Sequence, residues 1–214
     1  MYIADFKNLP LEEQTEEICI AAVSKYAEAI QYVEKQTEEI CLIAVQKAPN
    51  VIKYVKNPTD EINKTAIYNN PRCLEFIKEQ TEELCILAVS KKGTVLEYVK
   101  EQTPAICSTA VRNDPEAIQF VEDQYEDICI TAVRSNGMCL RFLKAQTPYV
   151  CTTAILNNPK AIQYVQNQTS ELCITACIKD FESAFPYVKI KYIPDILQFL
   201  NLNEQCTLSE VFNK

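Results

Sequence analysis

Residues 102–123 read QTPAICSTAVRNDPEAIQFVED. Two helix-start signals lie in this one stretch, Thr103 before Pro104 and Asp114 before Pro115. Each places a side-chain oxygen at the N-cap and a proline in the first helical position. The stretch therefore predicts two short helices, A and B, joined by a turn. Copies of it open at Gln14, Gln36, Pro58, Gln80, Gln102, Gln124, Gln146 and Gln168, every interval being 22 residues. A fixed period of this length is the mark of stacked repeats. The expected fold is all-α: an α-solenoid of stacked short helix-turn-helix (αα-hairpin) repeats.

The repeated positions say how each unit is built. A threonine follows the opening residue in every copy except the sixth, where Tyr125 stands. Threonine oxygen accepts from the orphan N–H groups of a first helical turn, and acids such as Glu16, Glu38 and Glu82 suit the positive end of the helix dipole. The core side of helix A is an aliphatic residue four positions before an alanine that never varies, as in Ile106 and Ala110; this i, i+4 spacing puts both on one face. An unvarying small residue predicts that another helix passes close by. Helix B opens at Asn70-Pro71, Asp114-Pro115 and Asn158-Pro159, at Ala48-Pro49, or with glycine at Lys92-Gly93 and Asn136-Gly137. It carries an aliphatic pair three residues apart and an aromatic row from Tyr32 to Tyr164. Both helices are far shorter than the ~12 to 15 residues at which an isolated helix is even marginal. Stacking has to hold them.

The period also sets the expected organisation. Residues 1–13 are an N-terminal cap, with Ile3, Phe6, Leu9 and Leu11 covering the open end of the first repeat. Residues 14–177 are seven full repeats and the first helix of an eighth. Residues 178–214 are a degenerate final helix and C-terminal cap, in which 195–200 (DILQFL) resembles a displaced helix B and 207–213 forms a last turn or two. One domain in all is expected.

Composition narrows the function classes. Two glycines in 214 residues argue against folds and phosphate-cradling loops that need glycine at tight turns. No stretch approaches the length of a membrane span, and MYIADFKNLP has no basic region leading into an apolar run, so a non-secreted, cytoplasmic protein without membrane contact is expected. A net charge of −8 argues against nucleic-acid binding, whose affinity comes largely from neutralising phosphates. Eleven cysteines, an odd number, are expected as free thiols.

With the pattern Q-T-x-E-(I/L)-C-x-x-A-V-x-x-(N/D)-(P/G)-x-x-(I/L)-x-(Y/F)-V, of which QTEEICLIAVQKAPNVIKYV is a nearly complete copy, residues 14–177 resemble a family of short helical repeats of unknown function. That family is multiplied in proteins of mimivirus-type giant viruses of amoebae and occurs in some protists. The resemblance implies a viral protein acting in a host cell, in the host cytoplasm, and brings no catalytic motif. Repeat three departs from the pattern at Pro58, Asn63 and Lys64, and repeat six at Tyr125. The A-V-x-x-(N/D)-P core is also similar to leucine-rich variant repeats, stacked helix pairs in which one helix is tight and short.

Candidate chemistry is sparse. The row Cys19, Cys41, Cys85, Cys107, Cys129, Cys151 and Cys173 repeats at the spacing of packed helices, about 8 to 10 Å, beyond the roughly 4.4 to 6.8 Å that a disulfide spans. It reads as core filler. Metal binding, which needs ligands around one point, is the minor alternative; Cys173 and Cys177 share a face, but the chain has no histidine. Without histidine the usual general base and nucleophile pairs are missing, so no enzyme activity and no cofactor are expected. The expected function is a non-enzymatic protein–protein interaction scaffold, with a nucleic-acid-binding solenoid as the alternative. The partner, host or viral, is expected to meet exposed residues that vary between copies: Lys64 and Tyr68 of the irregular third repeat, Arg112 and Arg134 on helix A, and Arg141 on helix B.

Overall fold

The computed structural model describes residues 3–200, apart from the side chains of Ala4 and Asp5. Among the described residues every regular element is a helix. The chain divides into two compact units, Met1–Asn113 and Asp114–Lys214. Each is an α-solenoid segment in which successive repeats stack on one another.

Helix A is an α-helix of ten residues in every copy, from Glu16–Lys25 to Ser170–Lys179. The threonine caps work as the sequence indicates. Thr15, Thr37, Thr59, Thr81, Thr147 and Thr169 each accept a hydrogen bond from the backbone N–H three residues on, whereas Tyr125 provides no such bond. The threonine hydroxyl has a second use that crosses repeats. It donates to the first-turn glutamate of the preceding A helix, Thr37 to Glu16 at 2.8 Å, Thr59 to Glu38 at 2.6 Å and Thr147 to Glu126 at 2.7 Å.

Helix B is not an α-helix. It is a six-residue 3-10 helix, as in Pro49–Tyr54, Gly93–Tyr98 and Pro159–Tyr164. Its aliphatic pair repeats every three residues, for example Leu74 and Ile77, which matches the three residues per turn of that helix. Such helices are short by nature, and extended backbone at Val55, Ile77 or Val165 ends each one. The aromatic row at its end, Tyr32, Tyr54, Phe76, Tyr98, Phe120, Phe142 and Tyr164, is half-buried throughout.

The two glycines start B segments and so bring an N–H that proline lacks. In both cases an asparagine of the next repeat accepts from it at 2.7 Å, Asn113 from Gly93 and Asn157 from Gly137. A methyl group at Gly137 would be driven into the backbone oxygen of Ala154. That carbonyl belongs to the unvarying alanine of the neighbouring A helix, the close passage that the small residue predicts.

At the N-terminus Phe6 is buried and Leu11 is exposed. In the eighth repeat a short α-helix, Phe181–Ala184, and a 3-10 turn, Phe185–Tyr187, stand where helix B would be. The stretch expected to resemble a displaced helix B instead belongs to an α-helix, Ile193–Phe199, that stacks on the last A helix with Ile196 and Leu197 buried. Pro194 near its start is a helix-opening signal of the same kind as Pro104. The expected turns at 207–213 lie outside the described residues.

Candidate functional site

Where glutamine opens a repeat, it serves as a structural clamp. Gln80 is typical: its Nε2 donates to the Leu74 carbonyl at 3.0 Å and to the Tyr98 carbonyl at 2.9 Å, and its Oε1 accepts from the Lys100 N–H at 3.0 Å. One carboxamide thus ties the end of one B segment to the end of the next. Gln36, Gln124 and Gln146 repeat the arrangement, with Nε2 bonds of 2.9 to 3.2 Å. Gln168 keeps it across one extra residue, meeting Ile162, Tyr187 and Lys189. The cysteine five residues on completes the unit, since the thiols of Cys85, Cys107, Cys151 and Cys173 donate to the Oε1 of Gln80, Gln102, Gln146 and Gln168 at 3.4 to 3.8 Å.

Repeat three has neither partner. Pro58 replaces the glutamine and Asn63 the cysteine, the one copy of eight in which both change. The groups that the missing carboxamide would meet are the Ile52 and Phe76 carbonyls and the Lys78 N–H. All three residues line a cleft of about 670 Å³, along with Lys53, Tyr54, Lys56, Pro58, Asp60, Asn63, Glu79 and Thr81. Asn63 is 8% exposed, and its Oδ1 is buried with no hydrogen-bond partner. An unmet buried acceptor costs about 1–3 kcal/mol, which marks this site as one where the fold accepts a local loss.

The neighbouring side chains form ion pairs on the surface. Asp60 stands where the other A helices of this unit have glutamate or proline, and it binds Lys64 at 3.2 Å; Lys64 also reaches Glu83 of repeat four at 2.9 Å. These two carboxylates hold the Lys64 ammonium above its usual pKa. Beside it Tyr68 is 67% exposed, and Lys91 places its Nζ 3.7 Å from the centre of the ring. Gln46, Lys64, Thr65, Tyr68, Asn69 and Leu87 form a shallow dish on this side.

Of the residues expected to meet a partner, the structure brings Lys64 and Tyr68 together in that dish. Arg112 is exposed at the end of the last A helix of the first unit. Arg134 and Arg141 are exposed in the second unit, on the A and B rows respectively. Arg141 is engaged: it binds Glu116 at 3.0 Å, and its guanidinium lies 4.4 Å from the centre of the Phe142 ring. The sequence pattern by itself shows neither the clamp nor the Asn63 cleft. A signal was present there, because the glutamine and the cysteine vary together.

The thiols suit a packing role. Ten described cysteines are free and buried. Burial pushes the thiols of Cys41 and Cys173 up to about 11 and those of Cys73, Cys139 and Cys177 up to about 12. Among the described residues, no three or more side chains of the metal-binding types are grouped as an ion would require, and no helix is long and apolar enough to cross a membrane.

By its fold the chain is an all-α repeat protein. A family model described as "Domain of unknown function (DUF4116)" matches residues 15–58, two periods that start at the first threonine cap and stop at Pro58. No curated protein and no solved structure matches the chain.

Proposed function

We propose that this protein is a non-enzymatic scaffold whose exposed positions recognise a protein partner. The observation that carries the reading is Tyr68. An aromatic ring two-thirds exposed, with Lys91 poised over it and Lys64 and Leu87 beside it, has the composition of an interface anchor, since aromatic and cationic side chains hold much of the binding energy at interfaces. The frame behind it is constant from copy to copy, and the surface residues vary, the arrangement by which stacked repeats present a binding surface. Thiols kept protonated by burial are poor nucleophiles, and the chain has no histidine, which supports a binding role over a catalytic one. Following the family likeness, we place the protein in the cytoplasm of an infected host cell and its partner among host or viral proteins.

The test is recovery of partners from host lysate by the wild-type chain and by Tyr68→Ala. Loss of a specific partner, with the circular dichroism spectrum unchanged, supports the reading. Equal recovery by both removes Tyr68 from the interface. Charge reversal at Arg112 and Arg134, each alone, asks the same of those positions.

A further inference from the structure

We propose that the cleft of repeat three is a binding site for a primary carboxamide, of the kind carried by glutamine. The site is distinct from the Tyr68 dish and goes beyond the scaffold reading. Its shape follows from what the other repeats place there. In repeats two, four, six, seven and eight a glutamine carboxamide gives two N–H bonds to two carbonyls and takes one N–H on its oxygen. Repeat three keeps the residues that supply those backbone groups, Ile52, Phe76 and Lys78, around a cleft that Pro58 cannot fill. It adds Asn63, more than nine-tenths buried and with an unmet Oδ1.

The hydrogen-bonding pattern selects among ligands. The Asn63 oxygen has no donor. The Ile52 carbonyl, which accepts from the Val55 N–H at 3.0 Å, keeps a second lone pair of the kind the clamp uses in other repeats. The Phe76 carbonyl and the Lys78 N–H are the counterparts of the other acceptor and of the donor that a clamp meets. A carboxylate has no donor, and an ammonium has no acceptor. A primary carboxamide has both, and it pairs reciprocally with the Asn63 amide in either orientation of that group. The cleft, about 670 Å³, lies within the range of roughly 300 to 1,000 Å³ usual for small-molecule sites. Lys53, whose Nζ lies 5.0 Å from the centre of the Tyr54 ring and 5.8 Å from that of Phe76, and Glu79 line the same cleft. They offer a cation and an anion to the carboxyl and amino groups of a glutamine, whereas Lys56 and Asp60 are already paired with Glu34 and Lys64. The carboxamide comes either from free glutamine or from a glutamine side chain in an extended peptide.

The experiment is an amide-detected NMR titration of the natural full chain with L-glutamine, with L-glutamate and with a capped Gly-Gly-Gln-Gly-Gly peptide. The expected result is saturable shifts of the Lys78 backbone amide and the Asn63 side-chain amide, with glutamate at least about ten-fold weaker. A response to the amino acid alone identifies a small-molecule site, and a response to the peptide alone identifies a peptide site; either supports the proposal. The double variant Pro58→Gln/Asn63→Cys refills the cleft with the residues of the other repeats. It is expected to keep its helical spectrum and lose all binding. Absence of shifts with every probe at millimolar concentration, equal binding of glutamate, or unchanged binding in the folded double variant overturns it.

Discussion

Repeats three and four sit side by side in the first unit and share a period, a threonine cap and an aliphatic core, yet they are joined to their surroundings by different means. Repeat four uses a half-buried carboxamide, Gln80, with a thiol behind it. Repeat three uses exposed ion pairs through Lys64 and leaves Asn63 unmet in a cleft. A buried hydrogen bond resists competition by water, whereas an exposed ion pair contributes little and weakens with salt. The contrast teaches that the stack tolerates one repeat without its clamp, because the apolar contacts of Ile62, Ala66, Leu74 and Ile77 remain. Freed from the clamp, that repeat is where the chain can take on chemistry of its own.

The largest expected effect concerns the thiols. Below pH 9 they are protonated in both states; above it the unfolded chain loses protons that the buried thiols keep up to about 11 or 12. The folded state then binds more protons, so stability falls as pH rises, by up to about 1.4 kcal/mol per pH unit for each such thiol. Urea unfolding at pH 8 and at pH 10 measures the loss. Hydrogen exchange should show the A helix of repeat three, which carries Asn63, less affected than that of repeat four. Equal response in the two helices would break the comparison.

Next in size, Gln80→Ala removes the carboxamide clamp from repeat four. It removes the side-chain partner of the Tyr98 carbonyl and of the Lys100 N–H and one of the two donors to the Leu74 carbonyl, which keeps the Ile77 N–H. It should cost about 2–4 kcal/mol in urea unfolding, with faster exchange at the Lys100 amide. A cost under about 0.5 kcal/mol would mean that the clamp is ornamental, and with it the reading of the cleft. The smallest effect is expected at repeat six, whose A helix has no side-chain cap. Tyr125→Thr should raise stability by about 0.5–1 kcal/mol in the same assay. No gain there would show that the caps contribute less than the stacking they accompany.

Much of this was legible without coordinates. Thr15, Thr37 and Thr81 are caps because a hydroxyl before an acid-rich turn has an N–H to accept, and that is a local fact. The unvarying alanine announced a close neighbour, and Gly137 against Ala154 confirms one. Helix B was harder to read, because six residues opened by proline are compatible with either helical form. The clamp was invisible for a plainer reason: a polar residue before a cap looks like a surface residue until its partners, 18 and 20 positions away, are known. The partner-facing residues divided likewise. Tyr68 and Lys64 were identifiable as departures from the pattern, whereas the pairing of Arg141 with Glu116, 25 residues earlier, was not.

What the amino-acid order alone determined is the repeat, its helix starts and the face each helix buries, since these depend on contacts within a turn or two of chain. What the tertiary structure decided is the 3-10 form of the B row, the role of the glutamines and the solitude of Asn63. Those depend on which groups of neighbouring repeats meet in space, and a periodic sequence places the same residue types in every copy without saying which atoms of one copy reach the next.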